Sequence, residues 1–110
     1  MPLDFRIHIV YVSKQRIRAL FNEGKYWTRA RNREFTLEYL YNKPAPAKAE
    51  QPRGTKSQVI AYINSNGEQI ALVHQYLKPD GTLGGSGKPD PKALLQGEVL
   101  YKIDYGDIDS

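Results

Sequence analysis

The residues best suited to chemistry in this chain lie around residue 74, immediately before a long glycine-rich segment. His74 is followed at two-residue intervals by Tyr76 and Lys78. In an extended strand this spacing places the three side chains on one face. There, a histidine can transfer a proton while a lysine stabilises negative charge. If the protein is an enzyme, we therefore expect its catalytic residues to be His74, Lys78 and Tyr76.

A second candidate site is the segment 25–35, in which cations alternate with aromatic residues. We interpret residues 25–33 as the first arm of a β-hairpin, although a helix also fits this segment. As a strand, it brings four cations and an indole to one face, where they can contact phosphates and stack on an unpaired base. The alternative makes Trp27 a core residue and the arginines an ordinary charged face. The predicted nucleic-acid-binding residues are Lys25, Trp27, Arg29, Arg31 and Arg33.

The glycine-rich segment itself is a third candidate. Residues 76–92 read YLKPDGTLGGSGKPDPK, with four glycines, three prolines and three lysines. This pattern is not a nucleotide-hydrolysing phosphate loop, because Thr82 and Pro89 stand where that motif needs a glycine and a hydroxyl residue. Glycine amides flanked by lysines can still hold an anion without catalysis; a solvated connector built from turns is the alternative. The predicted anion-binding residues are Lys78, Gly84, Gly85, Gly87, Lys88 and Lys92.

Cofactor and metal chemistry find no support in the sequence. The absence of cysteine excludes disulfides, thiolate catalysis and zinc–thiolate sites. His74, Asp80 and Asp90 match no known spacing of metal ligands. Ser86 is flanked by glycines but lacks the strand-to-helix setting of a serine nucleophile. We therefore expect no cofactor and no metal.

Length and charge limit the class of protein. With 110 residues the chain can bury one hydrophobic core, so we expect a single domain over residues 1–110. The net charge is +4, but residues 1–60 carry twelve Lys and Arg against five Asp and Glu, while residues 61–110 carry four against seven. The basic half favours an anionic partner or attraction to the acidic half. We expect no membrane segment, no signal peptide and a cytoplasmic location.

The elements that position the candidate residues are predicted from hydrophobic periodicity. Alternation indicates strands at residues 3–12, 34–41, 57–63, 69–77 and 99–103, and in the first of these the odd positions form the apolar face. Ser13 and Gly24 bound an amphipathic helix. The Asn66-Gly67 pair joins two of the strands into a hairpin.

The remaining segments are predicted as irregular structure. Residues 43–56 form a proline-rich surface loop, residues 78–92 a glycine- and proline-rich loop, and residues 104–110 an acidic tail. Residues 91–96 are predicted to form a helical turn.

These elements predict an α+β fold. It is a single small domain with a mainly antiparallel sheet of about five or six strands and one main helix packed on one face. The predicted function is that of a small basic accessory protein that binds RNA or DNA without catalysis.

Two alternatives remain open at this point. One is a metal-independent, toxin-like ribonuclease centred on His74, since such enzymes use histidine, lysine, arginine and tyrosine. The other is a module that binds or inhibits a protein, of which a homodimer through the tyrosine-rich strand at 35–41 is the simplest form.

Overall fold

The computed structural model describes residues 7–105, which form a six-stranded sheet with helices on one face. The strands are β1 (His8–Val12), β2 (Thr36–Pro44), β3 (Lys56–Ile63), β4 (Gln69–Leu77), β5 (Asp90–Gln96) and β6 (Val99–Ile103), and the helices are α1 (Lys14–Glu23) and α2 (Tyr26–Arg31). The predicted α+β class, with a mostly antiparallel sheet and one main helix, is confirmed.

The sheet order is β1-β6-β5-β4-β3-β2. Strands β2 to β6 form an antiparallel meander, and β1 pairs in parallel with β6. A parallel pair needs a crossover connection, and here the crossover contains both helices and strands β2 to β5. The two strands that flank the helices in sequence, β1 and β2, therefore lie at opposite edges of the sheet.

Helix α1 begins and ends where the sequence predicted. The Ser13 hydroxyl accepts a hydrogen bond from the Arg16 amide at 3.1 Å, and Gly24 is the C-cap. The apolar side chains of α1 recur at three- and four-residue spacing, so they share the face that packs on the sheet. The buried residues of this face are Ile17, Leu20 and Phe21.

The Ser13 cap makes a testable contribution to stability. Replacing Ser13 with alanine leaves one amide of the first helical turn without its acceptor, so we expect the free energy of unfolding to fall by about 1 kcal/mol. Urea denaturation measures this change. Ser13→Asp retains an acceptor and is expected to match the wild type; an alanine variant as stable as the aspartate variant would contradict the capping role.

A closed group of four aromatic rings joins the helices to the sheet. Phe21 of α1 stacks on Tyr26 of α2 with centroids 5.7 Å apart, and Phe35 stacks on Tyr62 of β3 at 5.8 Å. Both cross-pairs, Tyr26 with Phe35 and Phe21 with Tyr62, lie at 6.3 Å. All four side chains are buried, so this cluster fixes α2 over the β2–β3 side of the sheet.

The predicted hairpin arm at residues 25–33 is wrong, because the segment forms α2. Lys25 adopts a left-handed conformation with φ 54°, which separates α2 from α1. Tyr26 and Ala30, four residues apart, are both buried against the core. The helical alternative is therefore the correct one, and the four-residue spacing of the two core-facing residues is the signal that decides the conformation.

The predicted helical turn at residues 91–96 is also wrong, since these residues belong to β5. Pro91 lies opposite Val73, and the register then shifts so that Ala93 lies opposite Leu72. This leaves Lys92 as the extra residue of a β-bulge. A bulge is one of the places where a strand tolerates proline, because the missing amide costs no regular ladder hydrogen bond.

The first strand differs from its prediction in its buried face. The predicted positions 3–6 lie outside the described residues, and β1 begins at His8. Val12 packs against the core, whereas Ile9 and Tyr11 are 53% and 62% exposed. The odd positions were expected to be the buried face, but pairing with β6 turns the even positions toward the helices.

The predicted hairpin around Asn66-Gly67 is confirmed, as is the last strand. β3 and β4 pair in antiparallel register, and Gly67 adopts φ +82° while its amide donates to the Asn64 carbonyl at 3.0 Å.

The proline-rich loop is shorter than predicted, since β2 runs to Pro44, and it contains a 3₁₀ turn at Ala47–Ala49. Most of the predicted acidic tail, residues 106–110, lies outside the described residues. Within residues 7–105, neither helix is long and apolar enough to cross a bilayer.

Candidate nucleic-acid interface

The indole of Trp27 and the guanidinium of Arg31 lie against each other on α2. They are four residues apart, and the guanidinium carbon lies 4.0 Å from the centroid of the indole ring. Trp27 is half-buried against the core, while Arg31 is exposed. The pair thus presents a planar cation, backed by an aromatic ring, to the outside of the domain.

The other two arginines of the predicted site have different surroundings. Arg29 forms a salt bridge with Glu34 at 2.6 Å, and its guanidinium also lies over the rings of Tyr26 and Phe35, at 5.1 and 4.8 Å from their centroids. These contacts fasten the end of α2 to the aromatic cluster. Arg33 lies beyond α2 with a left-handed φ of 64°. The single face expected for Lys25, Trp27, Arg29, Arg31 and Arg33 required a strand and does not form.

A different group of cations surrounds Trp27. Lys25 and Arg31 line a cavity of about 250 Å³ together with Lys88 from the glycine-rich loop. We call this cavity the basic cleft; its full lining is Phe21, Asn22, Lys25, Trp27, Thr28, Arg31 and Lys88. None of its three cations forms a salt bridge with a carboxylate of residues 7–105. As far as the described residues go, the cleft's positive charge is not neutralised by ion pairs and can attract an anion.

An aromatic pocket adjoins the basic cleft. This cavity of about 230 Å³ shares Trp27 and Arg31 with the cleft and is also lined by Tyr39, Tyr62 and Gln75. Burial, together with the neighbouring Tyr39, raises the pKa of Tyr62 to about 12, so this residue stays a neutral phenol. Aromatic rings and one amide side chain suit the flat face and polar edge of a nucleobase.

An amide ladder holds the polar wall of the aromatic pocket. The Gln75 side-chain Nε2 donates to Oε1 of the Gln58 side chain at 2.8 Å, and the Gln58 Nε2 donates to Oδ1 of the Asn42 side chain at 3.2 Å. Gln58 is buried. Because each amide is held by its neighbour across the strands, Gln75 is oriented before any ligand arrives.

The glycine-rich loop folds back on itself rather than opening as a ring of free amides. The amides of Gly84 and Gly87 donate to the carbonyls of Tyr76 and Gly84, at 2.9 and 3.2 Å. Gly85 and Gly87 have positive φ angles of 64° and 82°, which favour glycine. A Cβ added at Gly84 would collide with the Gln51 side chain.

The predicted anion-binding residues are therefore only partly gathered. Lys88 reaches the basic cleft, and Gly84 and Gly85 line the cleft beside His74. Lys92 is instead paired with Asp90, with its ammonium nitrogen 3.0 Å from the carboxylate.

Lys78, also predicted as a catalytic residue, lines neither the basic cleft nor the cavity that contains His74. Hydrogen bonds from Thr82 and, to a lesser extent, the charge of Lys78 lower the pKa of Asp80 instead. The loop therefore brings Lys88, and not a lysine cluster, to the basic cleft.

His74 lies in a separate cleft at the end of β4. Its Nε2 shares a hydrogen bond of 2.8 Å with the Ser57 hydroxyl, and its ring meets that of Tyr76 edge-on with centroids 4.7 Å apart. Burial and, secondly, the charge of Lys92 hold the pKa of His74 below its usual value, although Asp90 opposes the shift. The imidazole is therefore neutral at pH 7 and able to accept a proton.

Asp90 organises the cations around this second cleft. Its carboxylate binds Arg18 at 3.2 Å and Lys92 at 3.0 Å. Burial alone would raise the pKa of Asp90, but the hydrogen bonds and charges of Lys92 and Arg18 outweigh burial and keep that pKa low. We call this cavity, of about 160 Å³, the His74 cleft; it is lined by Arg18, His74, Gln75, Tyr76, Gly84, Gly85, Ser86, Lys88 and Asp90.

Lys88 connects these surfaces. It lines the basic cleft, the His74 cleft and a third cavity of about 270 Å³ that Arg18, Phe21 and Pro89 also line. Lys88 is therefore the cation that the basic cleft and the His74 cleft have in common. Among residues 7–105, no three His, Asp or Glu side chains come close enough to hold a metal ion.

Sequence reasoning did not single out Arg18 and Gln75, which line these clefts, or Ser57, which is hydrogen-bonded to His74. Two of them follow from the predicted hairpin, since its register places Ser57 opposite Tyr76 and Gln58 opposite Gln75. Arg18 belongs to the polar side of α1, where it is indistinguishable from the other basic residues of that helix until α1 is docked beside β5.

Comparison of the chain with protein-family models, with curated proteins and with solved structures finds no match. Function therefore has to be inferred from the geometry of the clefts.

Proposed function

We propose that this protein binds single-stranded nucleic acid through the basic cleft and the adjoining aromatic pocket. The observation that carries the proposal is that Lys88 of the glycine-rich loop joins Lys25 and Arg31, at the two ends of α2, around Trp27. Cations gathered from separate segments around an aromatic ring fit a backbone phosphate with a base beside it.

The chemistry of the two cavities favours a single strand over a duplex. Trp27 and Tyr39 offer aromatic surface to the face of a base, Tyr62 forms part of the buried wall behind them, and Gln75 offers an amide to the base edge. In a duplex these faces are stacked and unavailable, whereas unpaired bases can leave the stack. Phosphate contacts at Lys25 and Lys88 would position the strand so that one base enters the aromatic pocket.

Binding should be visible in the salt dependence of affinity. We expect fluorescently labelled single-stranded oligonucleotides to bind. A plot of the logarithm of affinity against the logarithm of salt concentration should have a slope of about −2, because each of three cations contributes about −0.7 on a single strand. Fluorescence anisotropy measures this slope. Absence of binding at low salt, or equal affinity for a duplex of the same sequence, would overturn the proposal.

A second function, metal-independent RNA cleavage, is favoured by the His74 cleft. A neutral His74 bonded to Ser57 lies in the same cavity as Arg18 and Lys88. In such a reaction His74 takes the proton of a ribose 2′-hydroxyl, whose oxygen forms a bond to phosphorus. The bond from phosphorus to the 5′ oxygen breaks, and that oxygen takes up a proton from water. The cations stabilise the charge on the phosphorane.

The fate of the bound strand distinguishes the two functions. A binding protein releases it intact, whereas this chemistry releases fragments that end in a 2′,3′-cyclic phosphate and begin with a 5′-hydroxyl. DNA, which lacks the 2′-hydroxyl, would be bound by either protein and cleaved by neither.

A further inference from the structure

Strand β2 forms one edge of the sheet and is exposed along its entire length of nine residues. Its apolar side chains are unusually open to solvent for a strand: Leu37 37%, Tyr39 52%, Leu40 52% and Tyr41 44% exposed. An edge strand has one row of backbone groups that no neighbouring strand uses, so a long apolar edge is a template for another strand. A second β-strand can therefore pair with β2 at this edge of the sheet.

A β-bulge in β2 decides which side chains share a face. Tyr39 lies opposite Ile60 and Tyr41 opposite Val59, so Leu40 is the extra residue. Glu38 lies opposite Ala61 and Lys43 opposite Ser57. Because positions 57 and 61 of β3 are four residues apart, they share a face. Glu38 and Lys43 therefore also share a face, although their separation of five residues would place them on opposite faces of a regular strand.

This arrangement makes the edge complementary to itself. When β2 pairs antiparallel with a second β2 about a twofold axis centred between Leu40 and Tyr41, Glu38 of one copy lies opposite Lys43 of the other, twice. Tyr39 then lies opposite Asn42 of the second copy on the other face. Opposite charges on directly opposed residues stabilise a strand pair, and aromatic side chains extend the contact.

We propose that two copies of this chain pair through β2 in this register, forming one continuous sheet across the dimer. The occupant is a second copy because the edge carries both members of its ion pair, five residues apart on a common face. A twofold contact of this kind is closed and uses the same patch on both copies.

The dimer has a consequence for the proposed nucleic-acid surface. Directly opposed residues in an antiparallel pair point to the same face, so the helices of both copies lie on one side of the joined sheet. The two aromatic pockets, each lined by Leu37 and Tyr39 of β2, then flank the dimer axis on that side. The pairing itself does not depend on nucleic-acid binding, and its test uses none.

Charge reversal tests the register. We expect the wild-type chain to dimerise in sedimentation-velocity experiments over a micromolar concentration series. Glu38→Lys and Lys43→Glu each replace two attractive contacts per dimer with two repulsive ones, so each is expected to raise the dimer dissociation constant at least about tenfold. The double variant restores opposite charges. Its dimer dissociation constant is therefore expected to lie within about threefold of the wild-type value.

Tyr11→Lys at the other edge of the sheet is the matched control, because Tyr11 is 62% exposed on β1 and takes no part in the proposed contact. It should leave the dimer unchanged, and circular dichroism should show the wild-type fold for all four variants. A wild type that stays monomeric, a double variant as weak as the single ones, or a dimer broken by Tyr11→Lys would each overturn the proposal.

Discussion

Replacing both Arg31 and Lys88 with alanine is expected to weaken the binding of single-stranded nucleic acid about a hundredfold. Both side chains line the basic cleft, and neither forms a salt bridge within residues 7–105. A charged hydrogen bond to phosphate contributes about 1.4 kcal/mol or more, which is tenfold in affinity for each residue. The salt slope should also become shallower by about 1.4, since each lost phosphate contact removes about 0.7.

The control for this prediction removes the same charge elsewhere. Lys48 and Lys102 are exposed lysines outside the basic cleft. The Lys48→Ala, Lys102→Ala double variant is expected to bind within about threefold of the wild type, because only weak, screened attraction is lost. If this control loses as much affinity as the cleft variant, binding follows overall charge and the basic cleft is not the site.

A further variant separates charge from stacking at position 31. Arg31→Lys retains the positive charge but loses the planar guanidinium that lies 4.0 Å from the Trp27 ring centroid. The salt slope of this variant should therefore match the wild type while its affinity is lower. An affinity equal to that of the wild type would show that the arginine acts as a charge alone.

Replacing His74 with alanine is expected to lower the rate of RNA cleavage about a thousandfold while leaving the affinity for RNA unchanged. The expectation applies to the second candidate function, in which His74 is the general base, and general base catalysis contributes about 10² to 10⁴ in rate. His74 is hydrogen-bonded to Ser57 and lines the same cleft as Arg18 and Lys88. Cleavage is measured in the presence of a chelator, with RNA and DNA oligonucleotides of one sequence.

The pH dependence follows from the lowered pKa of His74. The neutral imidazole accepts the proton, and burial keeps it neutral to a lower pH than an exposed histidine. Cleavage should therefore persist as the pH drops through the usual histidine range and decline only as the pH falls through the lowered pKa. A rate that declines already at the pKa of an exposed histidine would show that His74 is not the base.

His8 is the matched control for His74, because it is a histidine of the same chain that lies exposed on β1. His8→Ala should cleave RNA as fast as the wild type. Equal rates for the His74 and His8 variants, or cleavage that requires a metal, would exclude a His74-centred ribonuclease. In that case the His74 cleft has only a binding or structural role.

Much of the fold follows from local patterns in the sequence. The Ser13 cap, the apolar spacing of α1 and the Asn66-Gly67 turn each act over a few residues, so they are readable without the tertiary structure. The two incorrect elements, residues 25–33 and 91–96, lie where local signals conflict. Burial of Tyr26 decides the first, and a bulge beside Pro91 decides the second.

The sequence by itself determined that this is a small α+β domain and that most of its lysines and arginines lie in residues 1–60. Only the tertiary structure decided which cations are paired and which are open. Glu34 neutralises Arg29, and Asp90 binds Arg18, whereas Arg31 shares its cleft with Lys88, 57 positions further along the chain. Such long-range placement depends on how the helices dock across the sheet, and no local pattern of residues encodes it.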